Sequence, residues 1–260
     1  MYAANVRRHG WPELQMAAAC ALVVTVVLGT VSNVLFLAAF RFRRDWIADP
    51  ALVVTGGARS AELLRWASIT DLFSYYLPTA VVAIALGFAL SPRGPVLARA
   101  SMFAALGYVL AGAVGAATLA TAGPALVEEY AQPGTDKAAV AIAFALLIDV
   151  VFRAIWQLLN GVLLGVWWLG ICRLTRADQP RFAQLSAVLA ALAWIGTAFN
   201  VLGFGLARDG ALGIVFLLWA VWSVWLSLLL WRRQPPFADR AANAHLGDVL
   251  PDERRAYVER

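Results

Sequence analysis

The chain reads as an all-α polytopic membrane protein, a bundle of six transmembrane helices. Of its 260 residues, 62% are apolar and 14% charged, and the mean hydropathy is +0.72. A soluble domain needs roughly a quarter of its residues charged to cover its surface. The charges also fall in short clusters between apolar runs long enough to cross a bilayer core of about 30 Å, which takes about 20 helical residues.

Six such runs lie at about 16–40, 64–90, 97–122, 143–171, 183–206 and 211–231. Lipid offers no partner to an exposed backbone amide, so each is expected to be helical. The first has no acid or base from Leu14 to Phe40 and ends in Arg41, Phe42, Arg43 and Arg44, not in a small-residue cleavage site. It is too long for a signal-peptide core and is expected to stay as a span. In the second, Pro78 cannot donate to the Ser74 carbonyl, which predicts a kink beside Tyr75 and Tyr76. The third repeats small residues every fourth position, at Gly107, Ala111 and Gly115 and at Gly112 and Ala116, a face for close packing. The fourth belongs to an apolar stretch of about 35 residues, roughly 52 Å as helix, so its first turns are expected outside the hydrocarbon core. In the sixth, Trp219, Trp222 and Trp225 recur at i+3 and Trp231 precedes Arg232 and Arg233, the pattern of a lipid-facing helix anchored at the interface. Trp167 and Trp168 read the same way at the end of the fourth.

Loops are expected at 41–63, from Pro50, Gly56 and Gly57, and at 123–137, from Gln132, Pro133 and Gly134. Glu128 and Glu129 then belong to a solvated loop. Residues 232–260 read as a charged, cytosolic and largely disordered tail, with at most a short helix near 250–260. With the N-terminus inside, the cytoplasmic segments hold 13 basic residues and the opposite side 7, which favours both termini in the cytoplasm. The first helix alone argues the reverse, since Arg7 and Arg8 precede it and Arg41, Arg43 and Arg44 follow.

Composition also excludes function classes. The net charge of +5 contains no basic run long enough to track a nucleic-acid backbone, so nucleic acid is not an expected partner. Cys20 and Cys172 have no Cys or His at metal-ligand spacing and read as small buried residues. No phosphate-cradling glycine loop, helical histidine pair or nucleophile elbow is present, and the two histidines, His9 and His245, lie in the terminal segments. No cofactor and no metal are expected, and an enzyme is the minority reading.

Function is sought in ionisable groups at membrane depth, which are costly and usually face the bundle interior. Asp71 lies about eight residues into the second span. Asp149 and Arg153 lie one turn apart in the fourth, and at 100° per residue they share a stripe with Trp156, Gln157 and Asn160. Asn33, Asp71, Arg153 and Asn200 fall on the same side of the midplane within about 10 Å of depth by helical rise. Two readings stand side by side. The charges either line a ligand or ion site, or Arg153 clasps Asp149 and Asp71 and fixes bundle geometry.

Residues 59–90, a charged lead-in followed by Asp71 early in the second span, and residues 149–203, with a glycine-rich fourth span closed by the basic turn Ile171, Cys172, Arg173 and Leu174 and then the fifth span, resemble a bacterial family of six-helix membrane proteins known only as a domain of unknown function. The resemblance implies six spans, a bacterial inner membrane and no established activity, so no functional residue is carried over.

The leading expectation is a small-molecule or ion binding cavity or transport path in the extracytoplasmic half, lined by Asp71, Tyr75, Asp149, Arg153, Gln157 and Asn200. A structural or regulatory subunit of a membrane complex is the alternative, with the lipid bilayer and another membrane protein as partners. An intramembrane lipid- or isoprenoid-modifying enzyme comes third and requires an apolar groove reaching Asp71 or Asp149.

Overall fold

The computed structural model describes residues 11–237. Six helices in it are long and apolar enough to cross a membrane: Trp11–Ala39, Pro50–Arg93, Pro95–Ala131, Lys137–Thr175, Pro180–Leu202 and Gly210–Trp231. They are spans one to six of an all-α integral membrane protein. The spans pack in chain order and the sixth closes against the first, giving a ring of six.

Local chemistry fixes the helix starts. Proline opens the helices Pro95–Ala131 and Pro180–Leu202, where its missing N–H costs nothing. Asp136 caps the fourth span by accepting from the amides of Ala138 and Ala139, both at 3.1 Å. The fifth ends on Gly203, whose φ of 78° is the left-handed conformation that glycine adopts without a β-carbon penalty.

Span two is built in pieces: a 3-10 turn Pro50–Gly56, helix Gly57–Asp71, a π turn Leu72–Tyr76 and helix Leu77–Leu90. The expected break at Pro78 takes the form of the π turn just before it, where the Leu77 amide donates to the Leu72 carbonyl five residues back. The connections are also more ordered than expected. Residues 44–48 form a short helix, and span three runs on to Ala131, so Glu128 and Glu129 lie on a helix and not in a loop. Arg65 of span two donates to Glu128 at 3.2 Å.

A cluster of aromatic side chains runs through the aliphatic and alanine core of the ring. Trp219 touches Tyr75 of span two, Tyr108 of span three and Trp168 of span four, with ring centroids 5.2, 5.7 and 5.4 Å apart. Trp222 packs on Trp167 and Phe182, and its indole N–H donates to Ser186 Oγ at 2.9 Å. This corrects the lipid-facing reading of these tryptophans: Trp167, Trp168, Trp219 and Trp222 are all buried, and only Trp231 stands exposed at the helix end. A second core at the opposite end gathers Phe40, Trp46, Val54, Leu64, Leu119 and Phe144. Cys20, expected to be buried, is exposed.

The start of the tail is held against the bundle. Phe237 is buried in the main core, and the Gln15 side-chain amide donates to the carbonyls of Leu230 and Phe237 at 2.8 and 3.2 Å. Gln179 donates to the Pro235 carbonyl at 2.9 Å. The expected disorder and short helix at 238–260, like His9 and His245, lie outside the described residues.

Candidate functional site

Asp71 ends the helix Gly57–Asp71 where span two widens into its π turn. Its side chain points into the bundle, the residue is 8% exposed, and its Oδ2 has no hydrogen-bond partner. The π turn joins backbone groups five residues apart, and Tyr76, five residues on from Asp71, turns its hydroxyl toward the Asp71 carboxyl, as does Ser32 of span one. Ser32 Oγ also donates to the Ala67 carbonyl at 3.0 Å, which ties span one to the turn before Asp71.

Two glycines let this group close. A β-carbon on Gly112 of span three would collide with the ring of Tyr76, and one on Gly29 of span one would lie 2.8 Å from the ring of Tyr75. Tyr75 accepts from Asn33 Nδ2 at 3.0 Å, while Tyr76 stacks obliquely on Tyr108, 5.3 Å between centroids. The small-residue face of span three therefore serves the site directly, because it admits Tyr76 and, at Gly115, Trp156. Sequence reasoning named Asp71 and Tyr75, and set Tyr76 beside the expected kink and in the cavity of the enzyme alternative, but did not single out Ser32 or Tyr108. The i, i+5 relation that recruits Tyr76 appears only once the π turn is seen.

The fourth-span residues part company with Asp71. Residues Asp149–Leu159 form a long π-helical run. A helix bonded five residues back turns through less than 100° per residue, so Asp149 and Arg153 stay neighbours while the deficit accumulated over the run turns Asn160 to another face, and the stripe drawn at 100° per residue splits. Asn160 is buried with its Oδ1 unpartnered, and Gln157 Oε1 is likewise buried and unpartnered. Asp149 and Arg153 instead lie on the outside, their side chains 53% and 56% exposed, joined by Nε to Oδ1 at 3.1 Å. The inward stripe and the three-way buried clasp are corrected on this point: Arg153 pairs with Asp149, on the outside.

The shared layer survives in the backbone. Asn200 Nδ2 donates to the Arg153 carbonyl at 2.9 Å and Thr197 Oγ1 to the Gln157 carbonyl at 3.0 Å. Trp156 reaches across to the Gly112 carbonyl at 3.4 Å, beside Tyr76. Asn33, Tyr75, Tyr76, Gly112 and Trp156 thus link spans one to four at this level, while Arg153 and Asn200 link spans four and five.

Neither of two surface and interior spaces among the described residues involves Asp71 or Arg153. One is an enclosed cavity of about 10 Å³ beside Gly87, Met102 and Trp167, no larger than a water needs. The other is an open apolar groove on span six along Val221, Val224 and Trp225. No cluster of His, Cys, Asp and Glu suited to a metal ion occurs among the described residues. Comparison of the chain with known protein families, curated proteins and solved structures finds no match.

Proposed function

We propose that this protein binds a proton or a small monovalent cation at Asp71, as an ion-coupled carrier or sensor of the bacterial inner membrane with both termini in the cytoplasm. The observation that carries this reading is the unpartnered Asp71 Oδ2, enclosed at membrane depth. A carboxylate with one oxygen left unpartnered there is costly unless a proton or cation accompanies it. Tyr76 and Ser32 supply hydroxyl oxygens around it, and the π turn and the proline after it suit a segment that rearranges.

The tight fit of Tyr76 on Gly112 and of Tyr75 on Gly29 favours an occupant of one or a few atoms. The wider lining set of Asp71, Tyr75, Asp149, Arg153, Gln157 and Asn200 narrows accordingly. Asp71 and Tyr75 belong to the ion site, with Gln157 in the same layer. Asp149 and Arg153 have a different role, and Asn200 holds the Arg153 backbone. The six-helix bacterial family of unknown function remains the proposed kinship.

The test is thermal unfolding of nanodisc-embedded protein against pH and against Na⁺, Li⁺ and K⁺, because a ligand bound only to the folded state raises stability with its concentration. The expected result is a rise in midpoint with one of these ions or with acidification, lost in Asp71→Asn. An identical dependence in Asp71→Asn would overturn the reading.

A further inference from the structure

Span four is the least buried of the six, with 17% of an apolar 18-residue stretch inside the bundle. Its outward face carries Ile142, 71% exposed, and Leu146, 65% exposed, then Asp149 and Arg153, then Leu158 and Val162. Ile142, Leu146, Asp149 and Arg153 follow one another at intervals of four, three and four residues and so form one continuous strip. A charged pair is thus set in an otherwise apolar outer surface, with apolar exposed residues both before and after it along the helix.

Neither lipid nor water suits the whole strip. Hydrocarbon penalises the charges by several kcal/mol, and water penalises Ile142 and Leu146. A protein surface that is apolar with an embedded acid and base suits all of it, and the strip itself has that composition. We infer that this face of span four is where a second copy of the chain docks, in a parallel two-fold dimer. A two-fold axis along the membrane normal brings the same strip from both copies together at the same depth. Asp149 and Arg153 are offset by one turn, about 6 Å along the helix, a distance that an arginine side chain spans. Each Arg153 can then reach Asp149 of the second copy as well as its own, since the guanidinium carries five donors and its own Asp149 is met through Nε. The pair is already joined within one chain; a partner of single charge would add repulsion toward one of its members, whereas a second copy offers Arg153 a further acceptor and Asp149 a further donor. The inference is independent of the Asp71 site.

The test is disulfide cross-linking of the full chain in lipid vesicles at low protein-to-lipid ratio, with Cys20→Ser and Cys172→Ser as background. Leu146→Cys is expected to give a covalent dimer, and Phe103→Cys, exposed on span three, to give none. Adding Asp149→Arg or Arg153→Asp alone should reduce the dimer about tenfold or more, because like charges then face each other. Co-reconstituting the two single-charge variants should restore it, which shows that each still folds. A Leu146→Cys dimer no more abundant than the Phe103→Cys control would overturn the inference. So would single reversals that cross-link as well as the parent, or a mixture that does not recover.

Discussion

The ring of Tyr76 occupies the space that a β-carbon on Gly112 would fill. Span two reaches span three at this contact, one π turn beyond Asp71, so the carboxyl's surroundings depend on a glycine in a neighbouring helix.

Gly112→Ala is therefore expected to destabilise the bundle by about 1–3 kcal/mol, the usual cost of overpacking a close contact. Gly210→Ala, where nothing lies within 4 Å of the added carbon, should be neutral or slightly stabilising. Thermal unfolding of the two variants in the same nanodiscs checks the difference.

The buried tryptophans make a second expectation. Trp222→Ala empties a fully enclosed site and leaves Ser186 without its indole donor, so a loss of about 3–5 kcal/mol is expected. Trp231→Ala, at an exposed position, should cost far less. Equal losses at both positions would show that the span-six aromatics face lipid after all.

Phe237 seals the Trp11 end of the bundle, where Arg93 also meets Asp178 at 2.6 Å. Phe237→Ala and Gln15→Leu should each loosen the start of the tail. Limited proteolysis is expected to cut both variants beyond Trp231 faster than the parent chain, with the six spans left intact.

At the opposite end the Arg43 guanidinium donates to both carboxylate oxygens of Asp45, at 3.1 and 2.6 Å. This hydrogen bonding holds the Asp45 carboxyl below its ordinary value and the Arg43 guanidinium above its own. A lowered carboxyl value means that the contribution is present above the unfolded aspartate's value and is lost as pH falls through the folded one. The pair is exposed, so its stability effect should be slight. Its titration should still be visible. Carboxyl-carbon NMR of labelled Asp45 is expected to move up toward the ordinary aspartate range in Arg43→Gln.

The spans were legible because hydropathy and length constrain any chain that must satisfy its backbone in lipid. Asp71 was legible as a charge where none belongs. The direction in which a helix faces was harder to read. The i+3 spacing of Trp219 and Trp222 marks a common face but does not say whether lipid or protein covers it. Asp149 and Arg153 were projected on a 3.6-residue turn, and the π-helical run Asp149–Leu159 rotated them away from Asn160. Residue composition carries little record of a hydrogen bond that slips from i+4 to i+5. Phe237 was lost among prolines and charges because one apolar residue has no period.

The central claim is that Asp71 holds a proton or a small cation inside the bundle. Infrared difference spectroscopy of the nanodisc-embedded protein, on stepping pH or adding Na⁺, reads the carboxyl group itself. The account predicts a carbonyl-stretch band of a buried protonated carboxyl that is lost on alkalinisation or on cation binding and is absent from Asp71→Asn. A difference spectrum that is the same in Asp71→Asn as in the parent protein would contradict it.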